Sequence, residues 1–227
     1  MSTTTKRFTD DLRTAAADCW QAQLEHPFIE GIADGSLDPD RFRFYIRQDY
    51  LYLIDYGRTF AIAAAKAPRL EVMGGFANLA QSTLGTEMEL HRSYAADWGI
   101  SRDDLEAERP ALATRAYTDF LLRTAAVGGF GDLVAALLPC MWAYSEIGKA
   151  LAQRPAPAEE RYARWIEMYA SDDFAELAEW CRGVCDEASA DAGEDGRRRM
   201  RQAFLASSDY ELDFWDAGWN YASPSGR

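Results

Sequence analysis

Hydrophobic positions recur at intervals of three and four residues along almost the whole chain. Phe8, Leu12, Ala16 and Cys19 begin the pattern, with polar residues between them. This spacing places the apolar side chains on one face of a helix, and no convincing two-residue alternation of a strand occurs. The pattern predicts successive helices over residues 8–25, 27–33, 39–66, 70–97, 112–126, 131–153, 158–169, 172–190 and 193–220.

Capping residues and prolines mark the ends of these segments. Asp38 followed by Pro39 combines an N-cap residue with a proline at the first helical position. Ser101 and Asp104 have the spacing of a capping box at the start of a short connecting helix. No repeat and no long linker interrupts the series, so we expect a single domain over residues 1–227, an all-α helical bundle.

Composition and charge exclude several classes of partner. The net charge of −13 disfavours a nucleic acid or an anionic membrane as partner. No apolar run is long enough to span a membrane, and the N-terminal residues do not resemble a signal peptide, so we expect a cytoplasmic protein. Aromatic residues make up 13% of the chain, and they require a core, a pocket or an interface.

The most informative segment has a proline inside an apolar helical run, with a cysteine directly after it. Pro139 has no N–H and clashes with the carbonyl of Ala135, so a bend is expected there. Tyr144 lies one helical turn after Cys140, and the thiol and the phenol therefore share a face. The segment is either a site or a packing kink with a buried, inert cysteine.

A second candidate is a carboxylate on the long helix over residues 39–66. Asp49, Tyr52 and Tyr56 are spaced so that they form one stripe of that helix. A buried carboxylate needs hydrogen-bond donors, which the tyrosines can provide. Taken alone, the stripe slightly favours the alternative, a surface aspartate beside an aromatic core.

The last helix carries a third candidate. Glu211 is followed at i+3 and i+4 by Phe214 and Trp215, which places its carboxylate against aromatic rings. Loss of solvent there would raise the pKa of Glu211 and suit it to proton transfer near neutral pH. The alternative is a solvated glutamate beside a core stripe.

Two more phenols, Tyr117 and Tyr169, lie on further predicted helices. Each alone is explained by packing in a core or an interface. Together with the other candidates they describe a pocket with one thiol, two carboxylates and several tyrosines. Such a pocket suits a flat, polar heterocycle, because rings stack on its faces and carboxylates bind its N–H groups.

A metal centre is an alternative use of His91, which follows Glu87 by four residues and Glu89 by two. Di-iron sites in helical bundles need two Glu-x-x-His repeats on facing helices. His26 is the single further histidine in the sequence, so this pattern is incomplete and we expect no metal. The glycine-rich and nucleophile-elbow motifs of other enzyme classes are also missing from the sequence.

Taken together, these segments resemble the TenA (thiaminase II) family of thiamin-salvage hydrolases. The resemblance extends from His26 to Trp219. Its most specific pieces are Gln48-Asp49-Tyr50-Leu51-Tyr52, Leu138-Pro139-Cys140 with Tyr144 and Glu146, and Ser207-Ser208-Asp209-Tyr210-Glu211 with Phe214-Trp215. The resemblance implies a heme-oxygenase-like all-α fold without heme, no cofactor, and assembly as a homotetramer.

The resemblance also implies a role for each candidate. Cys140 falls at the nucleophile, Glu211 at the acid–base carboxylate and Asp49 at the carboxylate that binds the aminopyrimidine. The substrates would be thiamin and 4-amino-5-aminomethyl-2-methylpyrimidine, and the product the 5-hydroxymethyl pyrimidine. Glu211 or a tyrosine is expected to lower the effective pKa of the thiol, since no histidine is near in sequence. The pocket tyrosines of the family match Tyr52, Tyr117, Tyr144 and Tyr169.

Two other functions stay open at this point. The first is a non-catalytic pyrimidine-binding, thiamin-binding or regulatory protein, and the second is an oxidase that uses a metal and oxygen. A DNA-binding regulator should present a basic helix, whereas the basic run Arg197-Arg198-Arg199 with Arg201 is typical of a solvated helix face. A nucleophile with acid–base groups is more than binding requires, so the hydrolase is the favoured hypothesis.

Overall fold

The computed structural model describes residues 6–221, and within this range the chain forms twelve α-helices, one π-helical turn and no strand. None of these helices is both long and apolar enough to cross a membrane. In chain order they are α1 Phe8–Ala15, α2 Ala17–Leu24, α3 Pro27–Asp34, α4 Pro39–Lys66, α5 Leu70–Ser82, the π-helical turn Thr83–Glu87, α6 Met88–Asp97, α7 Arg102–Glu106, α8 Leu112–Val127, α9 Phe130–Ala152, α10 Glu160–Ala170, α11 Asp172–Asp191 and α12 Glu194–Trp219.

The all-α prediction is confirmed, and two predicted helices are interrupted. The first is divided at Ala16, whose backbone leaves the helical region (φ −98°, ψ 11°). The fourth contains the π-helical turn Thr83–Glu87 between α5 and α6. A π-helical turn inserts an extra residue without ending the helix, so hydrophobic spacing gives no boundary there.

Helix α9 lies at the centre of the fold. It packs against α10, α11 and α12, while α4 packs against α5 and α8. Its segment from Leu133 to Leu138 is at most 1% exposed. A helix that is apolar on all sides is stable only when neighbours surround it, and this segment meets that condition.

Pro139 does not end helix α9, which continues to Ala152, and side chains from two neighbouring helices bind the backbone beside it. The Ser207 hydroxyl donates to the Ala136 carbonyl at 2.7 Å, and the Tyr56 hydroxyl donates to the Leu137 carbonyl at 2.8 Å. Neither bond is made to the carbonyl of Ala135, which is the one that loses its helical donor to Pro139. The same contacts fix the orientation of the turn that carries Cys140.

Gly148 marks a close approach of α9 to α10. A Cβ atom on Gly148 would come within 2.6 Å of the Ala170 nitrogen, a backbone atom that cannot move aside alone. We therefore expect Gly148→Ala to lower the free energy of unfolding by about 3 kcal/mol, the upper range for overpacking. Urea denaturation measures this change. Gly183→Ala is the control, because a Cβ there meets nothing within 4 Å, and a helical alanine should stabilise by about 0.5–1 kcal/mol. Equal effects of the two substitutions would contradict the packing argument.

Candidate active site

A cavity lies between α4, α5, the π-helical turn, α9, α10 and α11. One part of its wall is polar and includes Asp49, Glu87 and Tyr169. Another part is apolar and includes Leu79 and Leu177. A concave, mostly apolar cavity with a few converging polar groups is the usual form of a small-molecule site.

Cys140 and Tyr144 both line this cavity, as their shared face of α9 predicts. The thiol is partly accessible, in contrast to the buried Cys181 and Cys185. Of the two interpretations of this segment, the structure favours a site over an inert packing cysteine.

The expected lowering of the thiol pKa is wrong for the protein without ligand. Burial and the negative charge of Glu211 raise the pKa of Cys140 well above its ordinary value. The nearby Tyr52 hydroxyl opposes this shift, although it makes no hydrogen bond within residues 6–221. The raised pKa favours the neutral thiol form of Cys140 in the protein without ligand.

Glu211 lies behind the thiol rather than in the cavity wall. It is 2% exposed, and burial raises its pKa to about 8, with the hydrogen bond from Tyr117 and the neighbouring Cys140 limiting the shift. The pKa increase predicted from Phe214 and Trp215 therefore occurs. A carboxyl group with a pKa near neutrality can both accept and donate a proton at physiological pH.

A chain of hydroxyl groups connects Glu211 to the backbone of α9. The Tyr117 oxygen is 2.6 Å from Glu211 Oε1 and 2.8 Å from Ser207 Oγ, which in turn is 2.7 Å from the Ala136 carbonyl. When Glu211 is protonated, each hydroxyl in this chain can donate to the next acceptor, ending at that carbonyl. When Glu211 is ionised, Tyr117 donates to the carboxylate instead, so both protonation states have a partner.

Asp49 is buried and paired with a histidine that the sequence did not connect to it. Asp49 Oδ2 lies 2.7 Å from His91 Nε2 and accepts from the Tyr45 hydroxyl at 3.2 Å. His91 Nδ1 donates to the Glu87 carbonyl at 2.9 Å, which fixes the ring orientation. Burial opposes the charge on His91, but the hydrogen bond and the negative charge of Asp49 outweigh it and raise the histidine pKa.

The pairing of Asp49 with His91 predicts a measurable coupling. We expect His91→Gln to lower the free energy of unfolding at pH 7 by about 3 kcal/mol, because it leaves a buried carboxylate without a cation. The double variant His91→Gln/Asp49→Asn should lose less free energy of unfolding than the two single variants lose together. The expected difference is at least about 1 kcal/mol. Urea denaturation of the four proteins gives this coupling energy, and strictly additive losses would show that the two side chains do not interact.

The four predicted tyrosines divide into two groups. Tyr144 and Tyr169 line the cavity. Tyr52 and Tyr117 do not line it, and their rings pack together with centroids 4.9 Å apart on the side of Cys140 and Glu211. The first pair is placed to contact a ligand, whereas the second pair lies beside Cys140 and Glu211.

Glu87 is the cavity residue that the sequence considered only as a metal ligand. It lies at the end of the π-helical turn and accepts from the Tyr169 hydroxyl at 3.1 Å. Burial, followed by the charge of Asp49, raises its pKa to about 7. Within residues 6–221, no three or more His, Cys, Asp and Glu side chains are grouped so that they could hold a metal ion. The i, i+4 spacing of Glu87 and His91 was the sequence signal for this part of the site.

The fold and the cavity define the class of protein: an all-α protein with a heme-oxygenase-like fold that encloses a site for a small molecule. A domain of unknown function from Shewanella denitrificans, described as having a heme oxygenase-like fold, matches with a TM-score of 0.73 and 16% identity over 93% of this chain and 91% of that one. That likeness concerns the fold alone. The sequence model of the TENA/THI-4/PQQC family matches residues 13–221, and the chain belongs to this family.

Closer relatives agree with this assignment. The chain is 44% identical to an aminopyrimidine aminohydrolase from Halalkalibacterium halodurans, over 94% of this chain and 96% of the relative. A TenA homologue from P. horikoshii has a TM-score of 0.87 and 30% identity, covering 94% of this chain and 99% of that one. The family resemblance predicted from the sequence motifs is confirmed.

Proposed function

We propose that this protein is an aminopyrimidine aminohydrolase of the thiaminase II type, acting in thiamin salvage. It hydrolyses a C–N bond of 4-amino-5-aminomethyl-2-methylpyrimidine, and of thiamin, to give the 5-hydroxymethyl pyrimidine. The observation that carries this proposal is the extensive identity to a relative with that name. The cavity supports it, because a thiol and a paired carboxylate face the same enclosed space.

Cys140 is proposed as the nucleophile and Glu211 as the acid–base group. The sulfur adds to the ring carbon next to a ring nitrogen. Ionised Glu211 accepts the thiol proton and passes it to that nitrogen as negative charge develops there. Cys140 and Glu211 lie close enough for each to shift the pKa of the other, which supports this transfer, and the raised thiol pKa means that attack and proton loss are coupled.

Asp49 is proposed to anchor the exocyclic amine of the pyrimidine. Its pairing with His91 and Tyr45 holds the carboxylate in one orientation in the cavity wall. A fixed anchor keeps the ring over the sulfur, which is a positioning contribution to the rate. The ring then expels ammonia or thiazole from the methylene group, water adds to that carbon, and the thiolate leaves.

The remaining predictions come partly from the sequence pattern and partly from the family resemblance. A single domain over residues 1–227, a homotetramer and a cytoplasmic location stay predictions, as do the roles proposed here for Tyr52, Tyr117, Tyr144 and Tyr169. The regulatory or pyrimidine-binding alternative differs from the hydrolase in one measurable respect. It predicts that the pyrimidine binds without being hydrolysed.

The decisive assay incubates the purified protein with 4-amino-5-aminomethyl-2-methylpyrimidine and follows ammonia release. Catalytic release above the rate without protein is expected. Binding of the same compound by calorimetry without any release would replace the hydrolase with the binding protein. Absence of both binding and release would contradict the proposed substrate class.

A further inference from the structure

The proposed mechanism leaves one carboxyl group of the cavity without a role. Glu87 lines the cavity together with Cys140 and Asp49, and its side chain is partly accessible. It is close enough to Cys140 for its charge to raise the pKa of the thiol. A third acidic group at this distance from the nucleophile is costly to bury, so its presence calls for a function.

Glu87 and Glu211 are held separately. Glu211 is bonded to Tyr117 behind the thiol, whereas Glu87 is bonded to Tyr169 in the cavity wall. The wall near Glu87 also contains Thr83 and Thr86, and the apolar residues Leu79 and Leu177 extend the same cavity. This space can receive the group that departs from the pyrimidine once the ring is held by Asp49 over Cys140.

The two substrates differ in what their departing groups need. An amine leaves as neutral ammonia only if its nitrogen carries an extra proton when the C–N bond breaks. The thiazolium of thiamin already carries a positive charge and leaves as neutral thiazole without any proton. A general acid beside the departing nitrogen therefore accelerates loss of the amine and has nothing to protonate in thiamin.

We propose that Glu87 is the catalytic acid for the departing amine, a role that rests on the proposed function. Protonated Glu87 gives its proton to the aminomethyl nitrogen, the C–N bond breaks with its electron pair on nitrogen, and ammonia leaves. The Glu87 carboxylate then takes a proton from the water whose oxygen bonds to the methylene carbon. One water is consumed and one ammonia released, and Glu87 ends protonated as it began.

Three features suit Glu87 to this cycle. Its pKa of about 7 lets it exist in both forms near neutral pH. Its partner Tyr169 can donate to the carboxylate when the proton has left. Placement on the π-helical turn is in keeping with the frequent location of such turns at functional sites.

The test compares first-product release in single turnovers of Glu87→Gln with the two substrates. We expect ammonia release from the aminomethyl pyrimidine to slow by about 100-fold or more, the usual contribution of a general acid. Thiazole release from thiamin should change by less than about 5-fold, because that step needs no proton. Single turnovers isolate C–N cleavage from the later addition of water.

Glu89→Gln is the matched control, since Glu89 lies two residues away, is exposed and pairs with Arg92. It should leave both rates unchanged. Tyr169→Phe is a second variant that removes the hydrogen bond to Glu87, and it should slow ammonia release more than thiazole release. Equal loss of both products in Glu87→Gln, or no loss of either, would overturn the role of Glu87. Failure of the unaltered protein to release either product would instead contradict the proposed function.

Discussion

Replacing Cys140 by serine is expected to reduce the rate of ammonia release by about 10³-fold or more, as is typical for loss of a nucleophile. Serine keeps the size of the side chain, so the cavity and the neighbouring Tyr144 stay in place. A hydroxyl group is a much poorer nucleophile than a thiol, and Glu211 with a pKa of about 8 is too weak a base to ionise it. Steady-state assays give the rate, and calorimetry should show that the pyrimidine still binds.

Cys19→Ser is the control for this substitution. Cys19 is half-buried away from the cavity, and its sulfur donates to the Ser208 carbonyl, a bond that serine can also form. We expect its rate to match that of the unaltered protein. If Cys140→Ser retained most of the hydrolysis, covalent addition of the thiol would be the wrong mechanism.

Replacing Glu211 by glutamine is the second large effect, with an expected fall in kcat of about 10²–10⁴-fold, the range for a general acid–base group. Glutamine occupies the same space and can still bond to Tyr117, but it cannot accept the thiol proton or donate one to the ring. The fall should therefore appear in kcat more than in KM. Asp213→Asn, an exposed change on the same helix, should leave kcat unaltered. A Glu211→Gln variant that loses only affinity would assign this residue to binding.

Glu211→Gln, which should lower kcat, is expected to increase stability by an amount that depends on pH. Folding raises the pKa of Glu211 from 4.5 to about 8. Between these values the native state holds a proton that the unfolded chain has released, so the free energy of unfolding falls as pH rises through this window. Glutamine does not titrate, and we expect Glu211→Gln to be more stable than the unaltered protein at pH 8.5 by roughly 2–4 kcal/mol, with the difference vanishing near pH 4. Urea denaturation across this pH range measures it, and a difference independent of pH would contradict the raised pKa.

Part of the candidate site could be predicted because it depends on single helices. Cys140 and Tyr144 share a face by their spacing alone, and both line the cavity. Phe214 and Trp215 follow Glu211 at helical intervals, and this spacing was enough to predict the direction of the pKa shift that burial produces. These features need no knowledge of which helices are neighbours.

The rest of the site depends on contacts between helices and could not be predicted in this way. His91 is 42 positions from Asp49 in the chain, and only packing of α6 against α4 brings the two side chains to 2.7 Å. Glu87 reaches the cavity from a π-helical turn, which no hydrophobic period indicates. The pKa of the Cys140 thiol also has the opposite direction from the expectation, because burial and Glu211 together outweigh the nearby Tyr52 hydroxyl.

The sequence by itself determined the helical class, most helix ends and the residues that each helix buries, because capping groups, prolines and the 3.6-residue period act within a few positions of the chain. Its motifs also determined the family. Only the tertiary structure decided that Asp49 is paired with His91, that Glu87 shares the cavity with Cys140, and that Tyr52 and Tyr117 lie outside its wall. The physical reason is that a helical period specifies which face turns inward, whereas charge, desolvation and hydrogen bonding depend on the particular groups that meet there.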